Sequence, residues 1–549
     1  MRRALTIVLA LGAVLSLAGA AGAKVLRVGS YHGVRGQYSS IQAAVRAAGP
    51  GDWILIGPGD YKTTESQVRA PRGKGGYPAG VLITKADLHI RGMNRNTVIV
   101  DGTRPGSAVC SARRSAQNFG PRSSSTVGSY AVTARSRDTG LNGLMVYKAP
   151  NVLIENLTAC NFLGGTDGDG QSGNEIWWNG GTGSGKVGGH GYTGDYLTTT
   201  STYLQGKSKA GEVTGAEYGV FSSNWSGGTW NQIYASNFND SGFYIGACQQ
   251  VCDQTLNHGW AQYNALGYSG SNSGGRMLIE NSQFDDNEDG FDTNSQNGDD
   301  PPPQNGACPA GVKPPVRGAD SCWVFYHNYS HNNNNPNVPA AGSAAAGPVG
   351  TGMSVSGGRD DTIMDSRFVD NDAWGVVFVP YPDSGPPCTG GTLNFPLLGS
   401  GSCLFDEWGD ALIDNTFQHD GSYGNPTNGD YAQLNFQSGH PTDCYSANTQ
   451  VGGGPIQPAS AAAMQTAYPS CTGAPVPAGS SDSSFLVQVL CDTQEDIVPG
   501  VSSCPAGTTY PRVTKIVMHP LPKHLQTMPN PCRGVPANSW CRSRPARHN

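Results

Sequence analysis

The amino-acid sequence predicts an all-β coiled solenoid, and three observations carry that reading. A segment recurs along the chain, no long stretch shows a strong 3.6-residue period, and the composition is dense in turn formers. The recurrence is clearest in Leu278 to Asn294, where an apolar strand is followed by Asn or Asp, two residues, a Phe or His, a polar turn, Gly and a second strand. Its anchor pairs are Asn281/Phe284, Asn328/His331, Asp365/Phe368 and Asp414/Phe417. A repeat that cannot bury its own apolar face stacks on the next one, so self-similarity without helical periodicity means a coil of strands. Gly contributes 77 of 549 residues, about twice the average usage, as a chain that turns every few residues requires.

Within each repeat, branched apolar residues interleave with polar ones, as a half-buried strand demands. Phe284, Phe368 and Phe417 are expected to stack as an internal apolar row. Asn281 and Asn328 are expected to stack as an amide ladder that satisfies inward polar groups.

At the N-terminus, Arg2 and Arg3 precede the apolar run Leu5 to Ala18, with Ala21 and Ala23 behind it. This predicts a secretory signal peptide over 1–23 and export of the remainder. The run is too short to span a bilayer comfortably, so no membrane anchor is expected. The 14 cysteines all lie beyond it, which an oxidising compartment allows. Up to seven disulfides could form; sequence does not fix their connectivity, but neighbours fall naturally into the pairs Cys248/Cys252, Cys308/Cys322, Cys388/Cys403, Cys444/Cys471, Cys491/Cys504 and Cys532/Cys541, leaving Cys110/Cys160. Cys248, Cys252 and His258 lack a fourth ligand at a standard zinc spacing, so a loop staple is the better reading.

Ser39 or Ser40 can cap a short helix whose apolar face is Ile41, Ala44, Val45 and Ala48, and Gly49-Pro50-Gly51 ends it before a strand from Trp53 to Ile56. This segment, Tyr38 to Tyr61, resembles the opening of the right-handed parallel β-helix repeat proteins of the pectate-lyase-like superfamily, and Gly80 to Gly102 looks like their next rungs. The resemblance runs over roughly Ser39 to Phe436. It implies a right-handed parallel β-helix over 24–436 with a short N-terminal capping helix. Beyond it, six cysteines and a stretch from Pro505 to Asn549 with seven Lys or Arg and no carboxylate predict a disulfide-rich C-terminal cap or appendage over 437–549.

Aligning second strands at their glycines places Phe243, Phe291 and Val376 inward and Tyr244, Asp292 and Val377 outward on one face. Asp292 then stands beside a dense acidic turn containing Asp285, Asp286, Glu288, Asp289, Asp299 and Asp300. Like charges so close cost about 1 kcal/mol per pair even in a water-like dielectric. A solvated acidic loop is the first reading of such a turn. A hard cation with oxygen ligands would offset the cost, and Ca²⁺ held by Asp289, Asp292 and Asn294 is the competing one.

The family implied by the resemblance includes lyases, hydrolases, epimerases and non-catalytic surface proteins. Asn287 to Gly290, Gly298 to Asp300 and Gly189 to Gly191 resemble polygalacturonase motifs, but their order is wrong, which ranks inverting hydrolysis low. A uronate lyase or epimerase needs a cation or Arg to neutralise the uronate and a base to remove its α-proton. Tyr244, His258, Arg276 and Arg359 are candidates for those catalytic parts. Trp260, Tyr263 and Tyr268 are candidates for stacking on sugar faces. The expected function is therefore binding or cleavage of an extracellular, acidic polysaccharide, with a non-catalytic adhesion or structural role as the alternative. A net charge of −6 gives no footprint for nucleic acid.

Overall fold

A computed structural model describes residues 22–63, 68–69, 78–123, 137–138, 140–165, 172–181, 186–204, 215–248, 250–296, 303–384, 388–395, 399–434, 443–470, 483–493 and 507–541. The expected signal peptide and the Asp299–Asp300 pair fall outside these residues, apart from Gly22 and Ala23.

Each turn of the coil lays down three short strands, and each strand pairs in parallel with its counterpart one turn later. Two arrays form a 21-stranded sheet bent at a corner, and a third array forms an 11-stranded sheet. One full turn reads Met277–Glu280, Gln283–Asp285 and Asp292–Asn294. The chain is a parallel β-helix, the coil of strands expected from the sequence.

Register explains the core. In the first array Leu256, Ile279, Phe325, Ile363, Leu412 and Tyr445 pair in one column, and all are fully buried. In the second array Phe284 pairs with Ser330, Ser330 with Phe368, and Phe368 with Phe417. The three rings are internal as expected, with Phe368 stacked on Phe417 at 5.3 Å. Phe325 from the first array fills the gap that Ser330 leaves, standing 6.1 Å from Phe284 and 6.2 Å from Phe368.

That column corrects the second repeat by one residue. Ser330, not His331, occupies the phenylalanine position, and His331 pairs with Asp285. The corner residues are His258, Asn281, His327, Asp365 and Asp414, all at φ between 49° and 55°. Asn and Asp tolerate this left-handed conformation best, but exposed His corners serve too.

The amide ladder exists on different residues. Asn264, Asn287, Asn333 and Asn371 are buried, and each donates Nδ2 to the Oδ1 of the next at 3.0–3.2 Å, ending on the Asp420 carboxylate. Asn281 instead donates to Asn257 on the exposed corner.

Helix α1, Ile41–Ala47, is capped by Ser40, whose Oγ accepts from Ala43 N at 3.3 Å. Its buried Ile41, Ala44 and Val45 close the first turn against Leu26, Val28 and Ile54. The coil does not stop at 436: Cys444–Ser446 and Thr449–Gln450 add strands to the first two arrays. Helix α2, Ala459–Ala467, then closes the far end, where Ala461 O accepts from Tyr431 Oη. Helix α3, Ser483–Thr493, packs Phe485 against Trp374, Val377 and Leu434 on the outside of the third array.

The remaining described part of the C-terminal region lies along the coil. Residues 507–541 run back as an extended strap from the last turn to the first, held by Asn425, Asn337, Asn237, Asn156 and Asn96. The pairs Cys110–Cys160, Cys248–Cys252, Cys308–Cys322, Cys388–Cys403 and Cys532–Cys541 form as expected. Cys444 and Cys491 are also disulfide-bonded, to partners outside the described residues.

Candidate functional site

The third array carries the outward column that strand alternation predicts. Tyr244 pairs with Ser269, Ser269 with Asp292, Asp292 with Ser354 and Ser354 with Val377. Side chains alternate across a strand, so Phe243 and Phe291 turn into the core and this column faces outward.

Asp292 lies on the floor of a cavity of about 260 Å³ over that face. Its walls come from four places distant in sequence: Val377 and Val379 of the third array, the turn near Gly342–Ala346, Leu404 of a β-hairpin, and Leu486 and Val489 of α3. Tyr381 and Phe395 supply aromatic lining. No Lys, Arg or His is among its described lining residues.

The polar floor is tightly organised. Asp292 Oδ1 accepts from Ser356 Oγ at 2.9 Å, and its Oδ2 accepts from Asn294 Nδ2 at 2.6 Å. Ser354 Oγ lies 2.9 Å from Asp292 Oδ1 and 2.6 Å from Asp289 Oδ2. A single hydroxyl proton cannot serve two carboxylates. Asp289 is fully buried, and burial, reinforced by the Asp292 charge, pushes its carboxyl well above the ordinary range. The Ser354 hydroxyl therefore bridges the two carboxyl groups and can donate to only one of them at a time. Asp292 is also raised by burial, against which the Asn294, Ser354 and Ser356 donors stabilise its anion. The floor presents one half-buried carboxylate with three donors around it and a fully buried carboxyl behind it.

The other described carboxylates of the acidic turn have their own surroundings. Asp285 accepts from Trp260 Nε1 at 2.7 Å, and Glu288 is pushed well above its usual range by burial. Among the described residues, the only close set of three metal-capable side chains is Asp101, Cys110 and Cys160, and those two cysteines are bonded to each other.

The other expected residues do not converge on the cavity. Tyr244 is buried in an aromatic cluster with Phe221 and Tyr218, further along the column. His258 is an exposed corner residue. Arg276 is exposed and pairs with Asp253 at 2.6 Å. Arg359 is buried over the Trp408 ring at 3.6 Å and donates to the carbonyls of Asp406 and Gly390. None of the four is among the described residues lining the cavity.

Of the expected sugar platforms, Trp260 is half-buried and engaged with Asp285. Tyr263 is covered by the strap, its ring stacked on His519 at 3.6 Å. Tyr268 is fully buried and stacked on Phe291 at 4.1 Å, so it cannot meet a ligand. Its place was readable: Gly267-Tyr268-Ser269 aligns with Gly242-Phe243-Tyr244, which sets Tyr268 inward. Ser354 and Ser356 were readable too, because they alternate in Thr351–Ser356 on the same face as Asp292.

No family model matches the chain, and no curated protein matches it in sequence. Among solved structures, it is similar to the A-module of a mannuronan C-5 epimerase from Azotobacter vinelandii, at 13% identity and a TM-score of 0.40, covering 75% of this chain and 90% of that one. It is also similar to a pectate lyase, at 12% identity and a TM-score of 0.31, covering 79% of this chain and 75% of that one. A pectin methylesterase from Yersinia enterocolitica matches at 12% identity and a TM-score of 0.25, over 76% of this chain and 92% of that one. At these values the likeness carries no argument about activity.

Proposed function

We propose that the protein is an exported β-helix that binds an extracellular polysaccharide in the Asp292 cavity. One observation supports this above the others: a concave site with apolar and aromatic walls has a single oriented carboxylate at its floor. Such a mixture of flat apolar surface and few convergent polar groups suits a sugar ring. The disulfides fit an oxidising compartment. Among the described residues no helix is long and apolar enough to cross a membrane.

Catalysis would rest on Asp292. A carboxylate with its pKa raised by burial is suited to take up and return a proton, as uronate lyase or epimerase chemistry requires. An acidic chain would also need positive charge between its own carboxylate and Asp292. Ca²⁺ reaching Asp289, Asp292 and Asn294 would have to displace the Ser354, Ser356 and Asn294 donors from the Asp292 carboxylate. The experiment is a glycan panel on the mature protein with and without Ca²⁺, reading both binding and unsaturated products. Binding that Asp292→Asn abolishes is the expected result, and a panel with no binder rejects the reading.

A further inference from the structure

The cavity floor carries a carboxylate, and no cationic side chain stands among the described lining residues. Any ligand reaching Asp292 must either bring positive charge or leave a desolvated anion facing apolar walls, which is unfavourable. A hard cation is poorly served there. Ca²⁺ takes six to eight oxygens, whereas the floor offers Asp292 with Ser354, Ser356 and Asn294, whose protons already point at that carboxylate. Most of the wall is hydrocarbon, including Leu404, Leu486 and Val489. Such walls provide nothing for a hydrated ion and much for the body of an organic cation. Tyr381 and Phe395 add aromatic surface, which attracts ammonium groups over ring faces.

We infer that the Asp292 cavity recognises an amine-bearing sugar, with the ligand's ammonium group donating to the Asp292 carboxylate and its ring lying against the apolar wall. This rests on the polysaccharide reading and takes amino-substituted glycans, in place of the acidic ones expected from the sequence, as the ligand class. No added metal is then required. Asp292 accepts one more donor, and the Asp289–Ser354 arm keeps it oriented.

The test uses the full mature chain and three oligosaccharides of equal length, built from glucosamine, N-acetylglucosamine and galacturonate, titrated with Ca²⁺ or with a chelator. The first two differ chiefly in the charge on nitrogen. The glucosamine oligomer should bind without Ca²⁺, roughly 10–100-fold more tightly than its acetylated counterpart, the factor a charged hydrogen bond is worth. Asp292→Asn should remove that preference, and Ser356→Ala, a milder change, should reduce it should the first variant fold poorly. Equal binding of the two oligomers, or a preference unchanged in both variants, overturns the inference but leaves polysaccharide binding standing. Binding of galacturonate alone, and only with Ca²⁺, overturns it in favour of a metal-bridged acidic chain. If none of the three oligomers binds, the inference falls, and the wider panel of the previous section decides whether the polysaccharide reading falls with it.

Discussion

Two aspartates three residues apart have opposite roles because their surroundings differ. Asp289 is sealed in, and Asp292 opens onto the cavity. Burial holds the Asp289 carboxyl well above its ordinary range. A group raised in this way contributes stability that is fully present below its unfolded pKa and is lost as pH rises through the folded value. Asn keeps the shape and can donate to Ser354 as the protonated acid does. Asp289→Asn should therefore leave the melting temperature at neutral pH unchanged or higher and flatten its fall toward alkaline pH. Thermal melts over a pH series check this. A variant that melts lower than wild type at neutral pH would mean that Asp289 is ionised in place.

At the scale of elements, two ladders run side by side where the second array turns into the third. Gly242, Gly267, Gly290, Gly352 and Gly375 open successive strands, and a Cβ on each would meet the next turn's backbone carbonyl oxygen at 2.2–2.9 Å. The buried Asn ladder crowds the same space, with Asn333 Nδ2 standing 2.6 Å from where a Gly290 Cβ would be. Glycine is required here by close approach rather than by positive φ. Gly290→Ala should unseat both ladders, whereas Phe368→Ala only opens a cavity in the ring stack, costing on the order of 3–5 kcal/mol. Urea denaturation distinguishes them. The alanine at 290 should also expose the Asn287 and Asn333 amides to hydrogen exchange, and unchanged protection there would mean that the ladders yield to a methyl group.

This comparison shows what was legible in the sequence. The phenylalanine row was, because Phe284, Phe368 and Phe417 follow a polar corner at constant spacing. The His327 corner was not, because the adjacent Asn328 also fits a turn and only strand register separates them. Asp292 was legible from alternation along its strand. Its cavity was not, since the walls come from loops and a helix up to about 200 residues away, and nothing periodic links those segments to the coil.

Across the whole molecule, the strap decides how the two ends of the coil communicate. Composition marked Pro505 to Asn549 as basic and free of carboxylates, which says nothing of where an extended segment lies. The coil reads the strap's backbone with amide side chains: Asn237 Oδ1 accepts from His519 N, its Nδ2 donates to His519 O, and Asn96 does the same with Leu525. Net hydrogen bonds of roughly 0.5–1.5 kcal/mol each face a backbone ordering cost of about 1–2 kcal/mol per residue, so these contacts alone do not hold an extended segment down. The decisive anchor is at the strap's end. Trp540 is buried with Trp53, Leu55 and Met93 on the first turns, donates Nε1 to Val34 O at 2.9 Å, and is fixed beside the Cys532–Cys541 bridge. Trp540→Ala should release the strap progressively toward α3. Trypsin should then cut quickly at Lys515, Lys523 and Arg533, which the docked strap presents in an extended but tethered form. Tyr263 should simultaneously lose its His519 cover and become reactive to a surface tyrosine reagent, while the coil's circular dichroism remains. If Trp540→Ala resists trypsin as wild type does and Tyr263 stays protected, the asparagine track rather than the tryptophan holds the strap.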